Sequence, residues 1–226
     1  MELHIPSVVP VMTLPHTVFF PQALLPLHIF EPRYRTMLRD VLATNRIFAV
    51  ARLETSRSAG SADAREPLPR TAAVGLVRAC QGKDNATSDL LLQGLSRVEV
   101  IGIVREQPYR LIEVRPLSTE PGATALELAH LRSEVFRLLE LRRQLGRPTP
   151  QAVTQFLETI DDADTFVDLA AFNLCEDSEF KQKLLETLDT HRRLMLFAAR
   201  LREEVAIIRL RRKLQGPLAD EGIANN

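Results

Sequence analysis

The sequence predicts an α+β protein in two parts: an N-terminal β-barrel with one short helix over residues 1–122, then a C-terminal α-helical bundle with a long last helix over residues 123–226. Three observations predict it. Pro6, Pro10, Pro15, Pro21, Pro26 and Pro32 crowd the start, whereas residues 151–215 contain neither proline nor glycine. Proline removes a backbone donor and glycine weakens helix interiors, so the first part suits short strands and turns and the second suits uninterrupted helix. Near Pro121-Gly122 the apolar residues change to steps of three and four, the helical period. Finally, many short strands need their edges hidden, which a closed or nearly closed barrel achieves.

Each element has its own warrant. Val8 to Val11 and Thr17 to Leu27 read as extended segments punctuated by prolines, which strands tolerate at edges and ends. Glu31-Pro32-Arg33 starts a helix with proline at its first position, and Tyr34, Met37, Leu38, Val41 and Leu42 form its apolar stripe to about Asn45. Ile47 to Leu53 is a strand by its β-branched and apolar content, followed by a polar loop, ETSRSAGSADAREPLPR. Thr71 to Cys80 and Asp89 to Gln93 flank the turn-forming QGKDNATS and read as a hairpin. Arg97 to Val104 and Tyr109 to Val114 complete at least six strands, with Gly102 marking a bulge.

Beyond Gly122, Leu128, Leu131, Val135, Leu138, Leu139 and Leu145 lie on one helix, stopped by Gly146-Arg147-Pro148. A second helix spans about Pro150 to Ile160. A third is capped by Asp164, with Phe166, Leu169, Ala170 and Phe172 inward, and a fourth is capped by Ser178 or Asp177. The last helix, Thr190 to Leu214, turns Leu194, Phe197, Leu201, Val205 and Ile208 inward as the spine of the bundle.

Composition narrows the functions. At 226 residues, 45% hydrophobic and 26% charged, the chain is globular in type, sized for one large domain or two small ones. Lys plus Arg and Asp plus Glu are equal at 29 each, so no global field draws it to nucleic acid or acidic lipid. Cys80 and Cys175 are too few and too far apart for a metal knuckle or a C-x-x-C pair, and read as buried free thiols. No secretory signal or run of about 20 apolar residues is present. A cytoplasmic protein with no membrane contact is expected.

Motifs for catalysis are missing. The chain has no G-x-x-x-x-G-K-[ST], G-x-G-x-x-G or G-x-S-x-G, and His4, His16, His28, His130 and His191 show no zinc-binding spacing. No metal or cofactor is expected. Ser178 and Lys181 have S-x-x-K spacing, but its companion motifs are absent and Ser178 suits a helix cap. Asp161, Asp162 and Asp164 lack the calcium-loop pattern and suit a helix start. The last helix carries eight basic residues against Glu203 and Glu204, while residues 155–189 carry ten acids against two lysines. Intramolecular pairing therefore accounts for most of that charge. Tyr34 and Tyr109 are the only tyrosines and there is no Trp, so platforms for stacked bases are few.

The segment LPLHIFEPRYRTML, preceded by Leu14-Pro15 and Phe19-Phe20-Pro21, resembles the opening of the Lon protease N-terminal domain, which also occurs as stand-alone proteins. Ala73-Val74-Gly75-Leu76-Val77 is similar to that family's G-T-V-A strand, with Leu76 in place of the usual Thr. LLLQGLSRVEVIGIV is similar to its Q/E-G-x-x-R strand, with Gly94 and Arg97 at the characteristic positions. Asp164 to Leu174, Lys181 to Leu188 and the long charged helix resemble its helical half. The resemblance implies a PUA-like barrel joined to a helical bundle that recognises and holds polypeptide. The chain stops at Asn226, before any AAA+ module or serine-lysine proteolytic domain, so neither protease nor ATPase activity is expected.

The expected function is therefore non-enzymatic binding of unfolded polypeptide or a partner protein. Val18 to Leu25 is more apolar than one sheet face requires, and an open strand edge can pair with an extended peptide. Phe19, Phe20, Leu24, Leu25, Phe30 and Tyr34 are the candidate contacts. Self-association stays open. The alternative is RNA binding through a basic patch of Arg209, Arg211 and Arg212, by analogy with other PUA-like proteins.

Overall fold

The computed structural model describes residues 4–53, 67–84 and 86–215. The chain runs β1 (Val8–Leu14), β2 (Leu24–Ile29), α1 (Pro32–Leu42), β3 (Ile47–Arg52), β4 (Thr71–Gly82), β5 (Ser88–Arg105), β6 (Leu111–Leu117), and then α2 (Ala125–Gln144), α3 (Gln151–Glu158), α4 (Ala163–Leu174), α5 (Ser178–Glu186) and α6 (Thr190–Gln215). The mixed α+β class and the order of strands before helices agree with the sequence reading. Most of the predicted polar loop after β3 lies outside the described residues.

Strand neighbours run β2-β5-β4-β3-β1-β6, and β6 also pairs with β5. Five strands thus form a closed circuit, from β5 through β4, β3, β1 and β6 back to β5. Among the named strands of the described residues, only β1 and β3 pair in parallel, with α1 in the crossover between β2 and β3. Val9, Val11, Ile47, Ala49, Ala51, Ala72, Val74, Val98, Ile112 and Val114 form one buried cluster contributed by all five strands of the circuit. Phe48, Val50, Ala73 and Val77 alternate with these along β3 and β4 and join a second cluster that continues into the helices as far as Leu201. Because both faces of β3 are buried, its sequence is a continuous apolar run instead of an alternation.

Several sequence expectations change. Asp89 to Gln93 and Arg97 to Val104 belong to one strand, β5, because Gly94 lets the backbone continue where a side chain would meet the Phe20 carbonyl. The extended stretch from Thr17 becomes a strand only at Leu24; before it, Val18, Phe19 and Phe20 all turn into the core, which strand alternation does not allow. Gly102 does sit at a register shift between β5 and β6. Asp162, not Asp164, caps α4 by accepting from the Thr165 N–H at 2.8 Å. Asp177, not Ser178, caps α5. Cys80 and Cys175 are unbonded and half-buried, less enclosed than their composition class suggests.

The junction near Pro121-Gly122 is pinned. Glu120 N–H donates to Leu188 C=O at 3.1 Å, and Thr190 N–H returns to Glu120 C=O at 2.8 Å. Gly122 has φ of 69°, and the Asp189 carboxylate occupies the space a Cβ would need. Thr124 and Glu127 then start α2 with a capping box.

Candidate peptide-docking face and its support

The Phe19-Phe20-Pro21 segment is laid across two glycines. A Cβ on Gly75 would come within 2.8 Å of the Phe19 ring and 2.7 Å of Leu92. A Cβ on Gly94 would collide with the Phe20 carbonyl, while Gln22 N–H donates to Gly94 C=O at 3.0 Å and Gly94 N–H donates to Ala23 C=O at 2.9 Å. Phe19 and Phe20 are consequently 1% and 0% exposed. Tyr34 is buried as well, its hydroxyl 3.1 Å from the Thr13 Oγ1 and 3.2 Å from the Thr13 N–H that donates to it, fastening α1 to β1. These three expected contacts are therefore supports. Their apolar and aromatic character is spent on the core.

β2 sets the remaining candidates. It lies at the end of the strand order and among the described residues pairs only with β5. Alternation turns Leu25 and Leu27, half-buried, and Ile29, buried, toward the core. Leu24, Pro26 and His28 face outward, and Phe30 follows them, with Leu24 51% and Phe30 61% exposed. Across the strands, Pro26 pairs with Leu91 and His28 with Asp89. His28 stacks on Phe30 with ring centroids 6.0 Å apart, and its Nδ1 is 2.6 Å from the Asp89 carboxylate. Hydrogen bonds from Lys83 and His28 hold the Asp89 carboxyl below its ordinary range. The result is an apolar strip with one anchored ion at its end. The sequence reading does not single out Pro26, His28 or Leu91; the alternation of LLPLHIF carries the signal for Pro26 and His28, whereas Leu91 joins them only through its pairing across from β5.

The strip's framework is joined to the helices by buried charge. Arg97, in β5, donates from both terminal nitrogens to Asp168 of α4 at 2.5 and 2.7 Å, and from Nε to the Leu185 carbonyl at 3.0 Å. Arg193 of α6 donates to Asp168 and to Asp164, each at 2.7 Å. Thr119 and Thr190 hydroxyls also donate to Asp164, both at 3.0 Å. Burial pushes the Asp168 carboxyl up against the pull of Arg97 and Arg193. Burial also opposes ionisation of Asp164, but the Arg193 and Arg97 charges prevail and hold its carboxyl below the usual range. With two guanidiniums facing two carboxylates, the cluster balances its own charge. Its chemistry is structural.

Lys181 of the S-x-x-K spacing has a backbone partner. Lys181 Nζ donates to the Phe172 carbonyl at 2.8 Å, and burial lowers its pKa. A cleft of about 520 Å³ between α2, α5 and α6 includes Cys175, Arg142, Arg200 and Glu204. Arg142 and Glu204 pair at 2.9 Å, and burial pushes the Cys175 thiol up to about 12, leaving it protonated at neutral pH. Among the described residues no group of three or more His, Cys, Asp or Glu is arranged to hold a metal ion, and no helix is long and apolar enough to cross a membrane.

Arg209, Arg211 and Arg212 are exposed on the last turns of α6. Nearer its start, part of the helix's charge is paired: Arg193 meets Asp164 and Asp168 and Arg200 lies 3.7 Å from Asp177, all within the acidic stretch 155–189, while Arg202 meets Glu134 of α2, outside it, at 2.7 Å.

A strand circuit with a helical half attached defines the class: the fold of Lon N-terminal domains. The structure is similar to the N-terminal domain of Mycobacterium avium complex Lon protease, with TM-score 0.66 and 15% identity over 87% of this chain and 98% of that one. It is also similar to the Lon N-terminal domain protein from Xanthomonas campestris, with TM-score 0.59 and 22% identity over 86% and 98% of the two chains. The chain belongs to the ATP-dependent protease La (LON) substrate-binding domain family, whose model matches residues 8–202. It is 28% identical over 219 residues to Lon protease 2 of Myxococcus xanthus, a match covering 96% of this chain and 26% of that protein. The chain thus spans about a quarter of that relative's length.

Proposed function

We propose that this domain, a PUA-like barrel joined to a helical bundle, holds unfolded polypeptide or a partner protein by non-covalent contact, without catalysis, in the cytoplasm. The observation that carries the reading is the outward strip formed by Leu24 and Pro26 on the edge strand β2 and by Phe30 just after it, with Leu25 half-buried beneath. An extended chain laid on this strip buries its own apolar side chains against Leu24 and Phe30. Pro26 lacks a backbone donor and interrupts continuous strand pairing along the edge. Side-chain burial, more than main-chain hydrogen bonding, therefore supplies the affinity.

Binding of labelled unfolded casein tests this. Replacing Leu24 and Phe30 together by Asp should weaken binding at least about tenfold, with thermal stability within about 0.5 kcal/mol of the parent, as for exposed sites. Unchanged affinity would overturn the assignment of this strip. Phe20→Ser is unsuited to the purpose because it opens the core.

The RNA reading rests on Arg209, Arg211 and Arg212, whose side chains are exposed and form no ion pair among the described residues. Titration with unstructured RNA in the same assay separates it: affinity that falls steeply with salt and needs these arginines favours RNA over polypeptide.

A further inference from the structure

A second concave surface adjoins the strip. The exposed side of α1 presents Pro32, Arg35, Thr36, Arg39 and Leu42, spaced three or four apart and so on one helix face. Facing it are Ala86, in the turn between β4 and β5, and Ser88, the first residue of β5, and Leu38 lies beneath, together enclosing a groove of about 500 Å³. Ser88 is the cross-strand partner of Ile29, so the groove begins where β2 ends and Phe30 stands between strip and groove in the chain.

Charge in the groove is one-sided. Its eight lining residues include two arginines and no carboxylate. Arg35 is exposed and makes no side-chain ion pair among the described residues; Arg39 has only a long contact, 3.5 Å from Asp40, whose other oxygen accepts from the Tyr109 hydroxyl at 2.9 Å. Elsewhere on the surface the arginines Arg33, Arg137 and Arg143 meet carboxylates within their own segments. Arg35 has its charge directed to solvent beside an apolar floor.

We propose that this groove selects among polypeptides, taking a segment in which a bulky apolar side chain is flanked by Asp or Glu. The apolar group packs on Leu38, Leu42 and Pro32 while the carboxylates meet Arg35 and Arg39. This inference rests on the polypeptide-binding reading and adds a sequence preference to it. Guanidinium forks suit carboxylates, and their attraction also steers an acidic segment to a neutral protein that has no net field of its own.

Three fluorescent peptides of one length test it: a central Phe flanked by acidic residues, by lysines, or by serines. Anisotropy at low salt should show the acidic peptide binding about tenfold tighter than the lysine peptide, the effect of two exposed pairs, with the gap closing at high salt. Replacing Arg35 and Arg39 together by Gln should abolish the preference, replacing both by Glu should reverse it in favour of the lysine peptide, and both variants should leave the serine peptide's affinity and the melting temperature unchanged. If the serine peptide binds and the acidic and lysine peptides are equal, the selectivity is refuted and general polypeptide binding survives. Failure of all three to bind overturns both. Single-stranded RNA that binds through Arg35 and Arg39, or self-association that their replacement abolishes, would assign the groove to a different occupant and overturn the inference.

Discussion

Arg97 shows how one side chain can hold two halves together. It is 2% exposed, and its fork reaches Asp168 across 71 positions of sequence. A buried guanidinium is tolerable only because the Asp168 carboxylate and the Leu185 carbonyl occupy three of its five donors. Replacing Arg97 by Met should therefore cost about 3–5 kcal/mol, since it leaves Asp168 buried with Arg193 as its remaining counter-charge. Denaturant midpoints measure the loss. Removing Arg97 raises the folded-state pKa of Asp168 further, so the variant's deficit is largest at neutral pH and narrows on acidification as Asp168 takes up a proton. A loss below about 1 kcal/mol, or one that grows toward low pH, would contradict the role assigned to this contact.

At the scale of elements, glycine placement governs how β5 meets its neighbours. Gly94 permits the Phe20 carbonyl to approach the strand, and Gly75 makes room for the Phe19 ring. Gly94→Ala should cost about 1–3 kcal/mol or more, as overpacking does, because the obstacle is backbone and cannot rotate away. Gly102 supplies the control. Nothing lies within 4 Å of a Cβ built there, so Gly102→Ala should leave the melting temperature nearly unchanged. Comparable destabilisation at both positions would show that lost strand flexibility, not close approach, sets the cost. α1 follows the same logic from the other side: Pro32 starts it where no backbone donor is needed, and the buried Tyr34, Met37, Leu38 and Val41 leave Arg35 and Arg39 for the solvent face.

For the whole molecule, the two-part division expected at residue 122 does not divide the apolar core. One apolar cluster runs from Met12 through Phe48 and Leu92 to Val135, Phe166 and Leu201, and Gln182 of α5 donates to the Thr71 carbonyl of β4 at 2.9 Å. Exposing either half alone would uncover this surface and strand Arg97 or Asp168 without its partner. Thermal unfolding should accordingly be one transition, with calorimetric and van't Hoff enthalpies equal. Two separable transitions would instead identify residues 1–122 and 123–226 as independent folding units.

Much of this plan is legible locally. Pro32 and the apolar spacing after it place α1, Gly102 marks a register shift, and the switch to helical period falls at the pinned Gly122 junction. Exposure was not legible: of the six expected contacts Leu24 and Phe30 are exposed and Leu25 is half-buried, whereas Phe19, Phe20 and Tyr34 are core. Asp162 and Asp164 are equally good caps by residue type, but Asp162 accepts from the Thr165 N–H while Asp164 meets Arg193, Thr119 and Thr190. The sequence by itself determined the types and order of most elements and the family, because proline, glycine and apolar period act within a few residues. Tertiary structure decided which aromatic rings are buried, which face of β2 meets solvent and which acid meets Arg97, because burial and charge pairing depend on segments distant in sequence that fold into contact.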